Sequence, residues 1–357
     1  MLTVLLTDGE FTGLIRALRN AYGSDVRIIG LSMNRNMPQQ TMLDQVYFVV
    51  SHQDPRYIPS LSEILEKESV DYIFPIVSEG LEQIAENEDY FLKTYGVKII
   101  SPPLSALRIA NDKGLLYQCL ANSQDDRLRK IVPDFIFADT KKELLDGIQK
   151  LQHDQNDVCI KRRRGEDAGG FWRICHSLDY TEKLFRASPS RVLSEQMLHL
   201  MLNTLSPDDH IPPYMVSEYL PGEEWDCDVL AKDGKLLSVT TRINIDMSGG
   251  LTTVLETKEN SELAAYCAAI VQELGLSYVS CISFKKNIHD KFCILEINPR
   301  MMGNILVSCL AGNNYAKMAI DLYEGRNIDI KPVKQGIRTS MFYDQVQIPA
   351  DETTDRT

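Results

Sequence analysis

The chain has 357 residues, 44% of them hydrophobic, which is ample for a buried core and suggests two or three folding units. Its 38 Lys and Arg against 50 Asp and Glu give a formal net charge of -12, so the overall field repels nucleic acid and anionic membranes, and an anionic ligand must be held by local groups. Eight cysteines are scattered without a CxxC pair, and MLTVLLTDGE has neither a basic n-region nor a long apolar h-region, so the expectation is a cytoplasmic protein with reduced thiols, neither exported nor anchored.

In chain order, LTVLLT, VRIIGLS, QVYFVVS, DYIFPIVS and KIIS read as strands, separated by helical patterns in FTGLIRALRNAYG, SLSEILEKESV and LEQIAENEDYFLKTYG. Alternating strands and helices through Ser101 predict an open, largely parallel α/β sheet with crossover helices. Such sheets bind ligands beyond the carboxyl ends of their strands, here the loops Thr7 to Gly13 and Val77 to Gly80. With only Gly9 and Gly13, TDGEFTG lacks the dinucleotide fingerprint, which disfavours a nicotinamide or flavin enzyme. That these loops merely turn the chain remains the alternative.

Pro102 and Pro103 mark a boundary, and SALRIANDKGLLYQCL after them is helical. From about Ile131 the pattern becomes α+β, with VCIKRRR and FWRICHS as strands and KKELLDGIQKLQ as a helix. The strand YMVSEYL follows, then WDCDVLA and KLLSVTTRINI joined by a hairpin turn at Lys232 to Gly234, the helix SELAAYCAAIVQELG, and SCISFKK and KFCILEI around the turn NIHD. The tail after Arg326 is polar, with a frayed end.

In CILEINPR, period-two alternation puts Ile294, Glu296 and Asn298 on one face and Leu295 and Ile297 on the other. Oxygen ligands of this kind suit Mg2+, which binds through one or two carboxylates plus substrate phosphates, and Arg300 would add a planar donor fork. A capped strand end is the bland reading. Upstream, Lys161 closes an apolar strand before a loop carrying Gly165, Gly169 and Gly170, whose bare backbone can approach phosphate, and Lys113 stands in NDKGLL. A solvated basic run from Lys161 to Arg164 is the alternative. In YMVSEYLPGEEW, backbone groups near Glu218 to Leu220 are placed to pair with an adenine and Glu224 to meet ribose hydroxyls.

NDKGLL, VCIKRRR with its glycine loop, EYLPGEEW and EINPR, in this order and spacing, resemble the ATP-grasp superfamily, close to the carbamoyl phosphate synthase large-chain and biotin carboxylase group. The resemblance runs from Met1 to about Gly325. It implies a Rossmann-like pre-ATP-grasp domain over residues 1–104, a two-lobed ATP-grasp domain over 105–326 with a mobile lid at about 131–217, and a C-terminal segment over 327–357. It implies ATP with Mg2+, for which Mn2+ can substitute. Lys113 and Lys161 would contact the phosphates or the adenine edge, and the loop Gly165 to Gly170 would close over the phosphates. Glu218 with the Tyr219 and Leu220 backbone would form the adenine hinge, and Glu224 would hold the ribose. Glu296 and Asn298 match the metal ligands and Arg300 the arginine on the transferring phosphoryl group. Ser283 stands where the family usually has Gln, Asp or Glu. Either a second metal is then held more weakly, through water, or the register differs by a residue or two.

The shared chemistry implied is phosphorylation of a carboxylate by ATP to an acyl phosphate that an amine attacks, so the expected partners are a small-molecule carboxylate and amine, with a homodimer as the one protein association. Arg242 in TTRINI is a candidate for the carboxylate, or for a structural ion pair; Ser248, Gly249 and Gly250 follow as a loop, with Gly250 near substrate. Glu79 either faces the amine or is an ordinary exposed acid. Two alternatives accompany the ligase: a nucleotide-binding regulatory protein, which Ser283 favours, and a carbamoyl phosphate synthase-like subunit, weakened because only one grasp unit is present. A biotin carboxylase is disfavoured because the region that follows EINPR in those enzymes is missing by the same resemblance.

Overall fold

A computed structural model of the chain describes residues 1–152, 156–165, 169–176, 178, 191–248, 251–342 and 344–348. Its strands fall into three sheets. The first holds β1 (Leu2–Leu6), β2 (Val26–Ser32), β3 (Gln45–Phe48), β4 (Tyr72–Phe74) and β5 (Lys98–Ile99), all parallel in the order β3-β2-β1-β4-β5. The near-continuous apolar runs follow from burial on both faces. Leu5, Ile29 and Ile73 pack against Tyr57, Leu61 and Phe91, while Val4, Leu6, Ile28 and Phe74 pack against Leu14 and Leu18. Met301, Ile305, Tyr315 and Ala319 complete that second layer, so residues from the far end of the chain share the core of the first sheet.

Two predicted elements differ in extent. DYIFPIVS supplies only the strand Tyr72–Phe74, because Pro75 has no N–H to continue the ladder, and Ser78 already begins a helix, Ser78–Glu86. The single predicted helix after it is two, broken at Asn87, with Glu88 and Asp89 in the first turn of Glu88–Tyr95, where carboxylates favour the helix dipole.

The second sheet holds β6 (Phe135–Thr140), β7 (Val158–Arg162), β8 (Trp172–Cys175), β9 (Val192–Ser194) and β10 (His210–Glu218) in the order β6-β10-β7-β8-β9. The helix Lys141–Leu151 packs on it, started by a capping box between Thr140 and Glu143.

The third sheet is antiparallel and made of β11 (Glu224–Lys232), β12 (Lys235–Ser248), β13 (Leu251–Thr257), β14 (Tyr278–Lys286), β15 (Phe292–Asn298) and β16 (Arg338–Ser340), in the order β15-β14-β11-β12-β13-β16. The expected hairpin turns at Asp233 and Gly234, whose φ values of 48° and 75° suit a type I′ turn. β16 comes from the polar tail, in which the sequence reading places no strand; it pairs with β13 at the sheet edge. All eight cysteines are free thiols, and no described helix is long and apolar enough to cross a membrane.

Alternation gives the third sheet two unlike faces. Trp225, Cys227, Val229, Ile282, Phe284 and Ile297 pack with Leu263, Cys267, Ile270 and Val271 of the helix Ser261–Leu274. The other face carries Glu224, Asp226 and Asp228 of β11, with Arg242, Ser283 and Glu296 in register across the neighbouring strands. One register shift between Ser283 and Phe284 changes the parity of β15: Ile294 pairs with Phe284 and lies in the apolar cluster with Ile297, not beside Glu296 as strict alternation predicts.

Candidate active site

Glu296 and Asn298 emerge together at the end of β15, and Asn298 Nδ2 donates to Glu296 Oε1 at 3.0 Å. The other carboxylate oxygen is 3.0 Å from the Lys113 ammonium, which also donates to the Gly165 carbonyl at 3.0 Å. Burial pushes the half-buried Glu296 carboxyl up, but Lys113, joined by the Asn298 hydrogen bond and the charge of Lys161, more than offsets it and holds it below the usual glutamate value. Lys113 is placed by its helix, Lys113–Ala121, whose N-cap Asp112 accepts from Gly114 and Leu115 N–H. Asp112 also takes both arms of Arg163, at 3.0 and 2.9 Å, and the Lys113 N–H donates to the Arg163 carbonyl at 2.9 Å. The helix start is therefore tied to the loop after β7.

Lys161 is buried on β7, with its ammonium donating to the Tyr117 hydroxyl at 2.9 Å and lying 4.8 Å from that ring's centre. Burial lowers its pKa, against the opposing pull of Cys159 and Glu296. The alternative of a solvated run from Lys161 to Arg164 holds only for the exposed Arg162 and Arg164: Lys161 is buried, Arg163 is paired with Asp112, and Arg164 bonds Glu82 of the first sheet's helix layer at 2.6 Å. Gly165 and Gly170 take φ values of 125° and 74°, a region that favours glycine. Gly169 adjoins Gly170 in a turn, and residues 166–168 lie outside the described residues.

At the strand end of β10, Glu218 N–H donates to the Asp134 carbonyl at 2.9 Å and Tyr219 N–H to the Asp157 carbonyl at 3.3 Å. Leu220 is buried, and Arg173 stacks 4.4 Å from the Tyr219 ring centre while pairing with Asp157. Burial raises the Glu218 carboxyl. Glu224, also raised by burial, bonds Lys285 at 3.1 Å and accepts from Asn244 at 3.3 Å.

Arg242 is fully buried and saturated from within. It donates to Asp226 at 2.8 Å, to Asp228 at 3.3 and 3.2 Å and to Asn304 at 3.0 Å. Burial disfavours its charge, but Asp228 and Asp226 outweigh that and raise its pKa. Of the two readings offered for Arg242, the structural ion pair is the one the geometry displays; a guanidinium with no exposed surface and these partners has no donor face left for a substrate carboxylate. Asp226 and Asp228 were missed from the sequence. The signal was present in EWDCD, where acids alternate with apolar residues inside a strand, a pattern for a face that is polar yet covered.

Ser283 stands opposite Glu296 in the ladder, and its Oγ donates to Asp226 Oδ1 at 2.6 Å. Arg300 is buried after β15, with its guanidinium 5.2 Å from the centre of the Phe11 ring and a bond to the Met301 carbonyl at 3.2 Å. The N-terminal loop thus meets the EINPR turn. Gly13 there has a packing reason: a Cβ would stand 2.0 Å from the Gly303 carbonyl oxygen. Glu79 is exposed in the first turn of the helix Ser78–Glu86 rather than at a strand end. Ser248 ends β12, while Gly249 and Gly250 lie outside the described residues. Among the described residues no group of three or more His, Cys, Asp or Glu is gathered to hold a metal, so a cage built of protein ligands alone is not what the site offers.

Residues 210–344 match the family described as ATP-grasp in the biosynthetic pathway with Ter operon, and residues 4–100 match the PylC-like N-terminal domain. Similar solved structures include an N5-carboxyaminoimidazole ribonucleotide synthetase in complex with ADP, at TM-score 0.64 and 15% identity over 94% of this chain and 80% of that one. The Staphylococcus aureus N5-carboxyaminoimidazole synthetase complexed with ADP gives TM-score 0.64 and 13% identity over 92% and 78%. A biotin carboxylase complex with β-γ-ATP from Campylobacter jejuni gives 0.61 and 15% over 93% and 73%. At such identities the likeness is one of fold. A match to an ATP-grasp family over residues 210–344 thus follows a match to a PylC-like N-terminal domain over residues 4–100.

Proposed function

We propose that the chain is an ATP-dependent carboxylate–amine ligase acting on a small-molecule or amino-acid carboxylate. The observation that carries this reading is the meeting of Lys113 and Asn298 on Glu296, each at 3.0 Å: a cation already seated on the carboxylate of the pair assigned to a metal. That pair accepts a cation with one carboxylate and one amide, which suits Mg2+ held jointly with nucleotide phosphates. Mg2+ bound there with ATP supplies neutralisation of the phosphate charge.

The chain's own residues do the rest. Lys113 leaves Glu296 for the phosphates, and Lys161, whose charge is costly where it is buried, gains an anionic partner. Because Glu218 and Tyr219 N–H groups are engaged with Asp134 and Asp157, the adenine edge falls to the Glu218 carbonyl and the Leu220 amide. Glu224 accepts from the ribose hydroxyls. Arg300, oriented by Phe11, faces the transferring phosphoryl group. A carboxylate oxygen attacks the γ-phosphorus as the bond to ADP breaks. The amine nitrogen then attacks the acyl carbon, loses a proton, and inorganic phosphate leaves. The lid, residues 131–217, closes to keep water from the acyl phosphate. Arg242 acts as a positioning residue, tying Asn304 to β11.

Support for ATP comes from the relatives solved with ADP or β-γ-ATP. The test is ADP release against paired panels of carboxylates and amines. Release that needs both substrates, and that Glu296→Gln abolishes, supports the ligase; undiminished turnover in the variant sinks the metal assignment. A nucleotide-binding regulatory protein is the second reading, favoured by the neutral Ser283 opposite Glu296. Tight Mg-ATP binding with no ADP release across the panels would select it.

A further inference from the structure

Arg163 and Arg164 stand side by side at the start of the glycine loop and are held in opposite ways. Arg163 fills a slot: both arms of its fork reach the buried Asp112, at 3.0 and 2.9 Å, and its guanidinium lies 4.8 Å from the centre of the Phe137 ring. Gly114 opens that slot, since a Cβ there would stand 2.7 Å from Arg163 Nε. Arg164 is exposed, and its 2.6 Å bond crosses to Glu82 on the helix Ser78–Glu86, in the helix layer of the first sheet. Asn111 steadies that acid, its Nδ2 donating to the Ser78 carbonyl at 2.6 Å and to Glu82 at 3.5 Å. A bidentate pair on a buried acid is a fixed point, whereas an exposed pair is worth little enough to open.

The Gly165 carbonyl faces the Lys113 ammonium at 3.0 Å, and this is the cation assigned to the phosphates. A carbonyl oxygen and a phosphate compete for that ammonium and repel each other, so the loop must turn its carbonyl away before its N–H groups can reach an anion. Gly165, at a φ of 125°, has no side chain to hinder the turn, but Arg164 one residue earlier is tied to Glu82. We propose that the Arg164–Glu82 ion pair is a latch by which the first sheet's helix layer holds the glycine loop back, and that it breaks as the nucleotide binds. Glu82 is then a positioning residue that restrains nucleotide affinity. The proposal rests on the ATP-dependent reading above.

Titration of the full chain with a fluorescent, non-hydrolysable ATP analogue and Mg2+ tests it, together with trypsin cleavage after Arg164 without nucleotide. Glu82→Gln keeps the shape of the side chain and removes the latch. It should tighten the analogue about two- to fivefold, the range of an exposed ion pair, and speed cleavage of the Arg164–Gly165 bond by a similar factor. Glu86→Gln removes the same charge one turn along, from an acid that Arg108 holds at 2.7 Å, and should change neither. In an Arg164→Gln background, adding Glu82→Gln should leave the affinity where it is, a dependence that a merely structural role for Glu82 would not give. Equal affinity in the wild type and Glu82→Gln, equal tightening by Glu86→Gln, a further gain in the Arg164→Gln background, or unchanged cleavage overturns the latch while leaving the ATP reading intact. No analogue bound by the wild type or any variant overturns both.

Discussion

Of the ion pairs described on one face of the third sheet, those of Arg242 and of Glu296 are built for opposite purposes. At the centre, Arg242 is wholly buried between Asp226 and Asp228, with Asn304 closing the set. On the edge strand β15, Glu296 is half-buried and pairs with Lys113, a flexible ammonium that arrives from another element and is shared with a carbonyl. A planar guanidinium locked by several bonds is a permanent counter-charge, whereas a point charge on a long stem can be exchanged for another cation. The difference places structure at the sheet's centre and exchange at its rim.

The sharpest way to break that comparison is to remove each cation. Arg242→Ala leaves Asp226 and Asp228 buried without a counter-charge and is expected to cost about 3–5 kcal/mol, read from urea unfolding. A loss below about 1 kcal/mol would mean that the central pair is as replaceable as the outer one. Glu296→Gln should act oppositely: urea unfolding nearly unchanged, while ADP release falls about a hundredfold or more.

Lys113→Ala probes exchange more gently. Stability should move by about 0–1 kcal/mol, as for a partly exposed pair, while KM for ATP rises about tenfold, as for one lost charged contact. With the ammonium gone, burial is opposed only by the Asn298 hydrogen bond and the charge of Lys161, so carbon NMR should find the Glu296 pKa moved upward from its present position below the usual value. The sign follows: the depressed pKa stabilises the fold above the ordinary glutamate value, and this contribution is lost as pH falls through the folded pKa. In Lys113→Ala that acid-side loss should shrink.

The smallest effect concerns Lys161. Its lowered pKa means that the free enzyme loses this charge at a less alkaline pH than an ordinary lysine would. KM for ATP should therefore rise on the alkaline side, and Lys161→Arg should flatten that limb. Identical alkaline limbs would show that Lys161 does not meet the phosphates.

Much of this was legible because local chemistry and fold agreed. The five strands of the first sheet, the Asp233–Gly234 hairpin and the Glu296–Asn298 pair are each written in a few adjacent residues. Elsewhere the deciding fact was a register or a distant partner. The shift beside Phe284 that turns Ile294 into the core cannot be seen in CILEI alone. Arg242 could be read as a ligand or a structural cation until β11 supplied its two acids. β16 is a short strand in a polar tail and exists only because β13 leaves an edge to pair with. Asp226 mattered most and was overlooked, since an acid between tryptophan and cysteine carries no motif.

One face of the first sheet is covered by Met301, Ile305, Tyr315 and Ala319, and Asn314 reaches the Ala17 carbonyl at 2.8 Å. Synthesis makes that cover last. On the ribosome, Val4, Leu6, Ile28 and Phe74 wait with an open apolar flank while more than two hundred further residues are joined, so the domain that is born first is among the last to be finished. Closing such a long-range contact is slow, and during that interval the nascent sheet is the part of the molecule most in need of a chaperone.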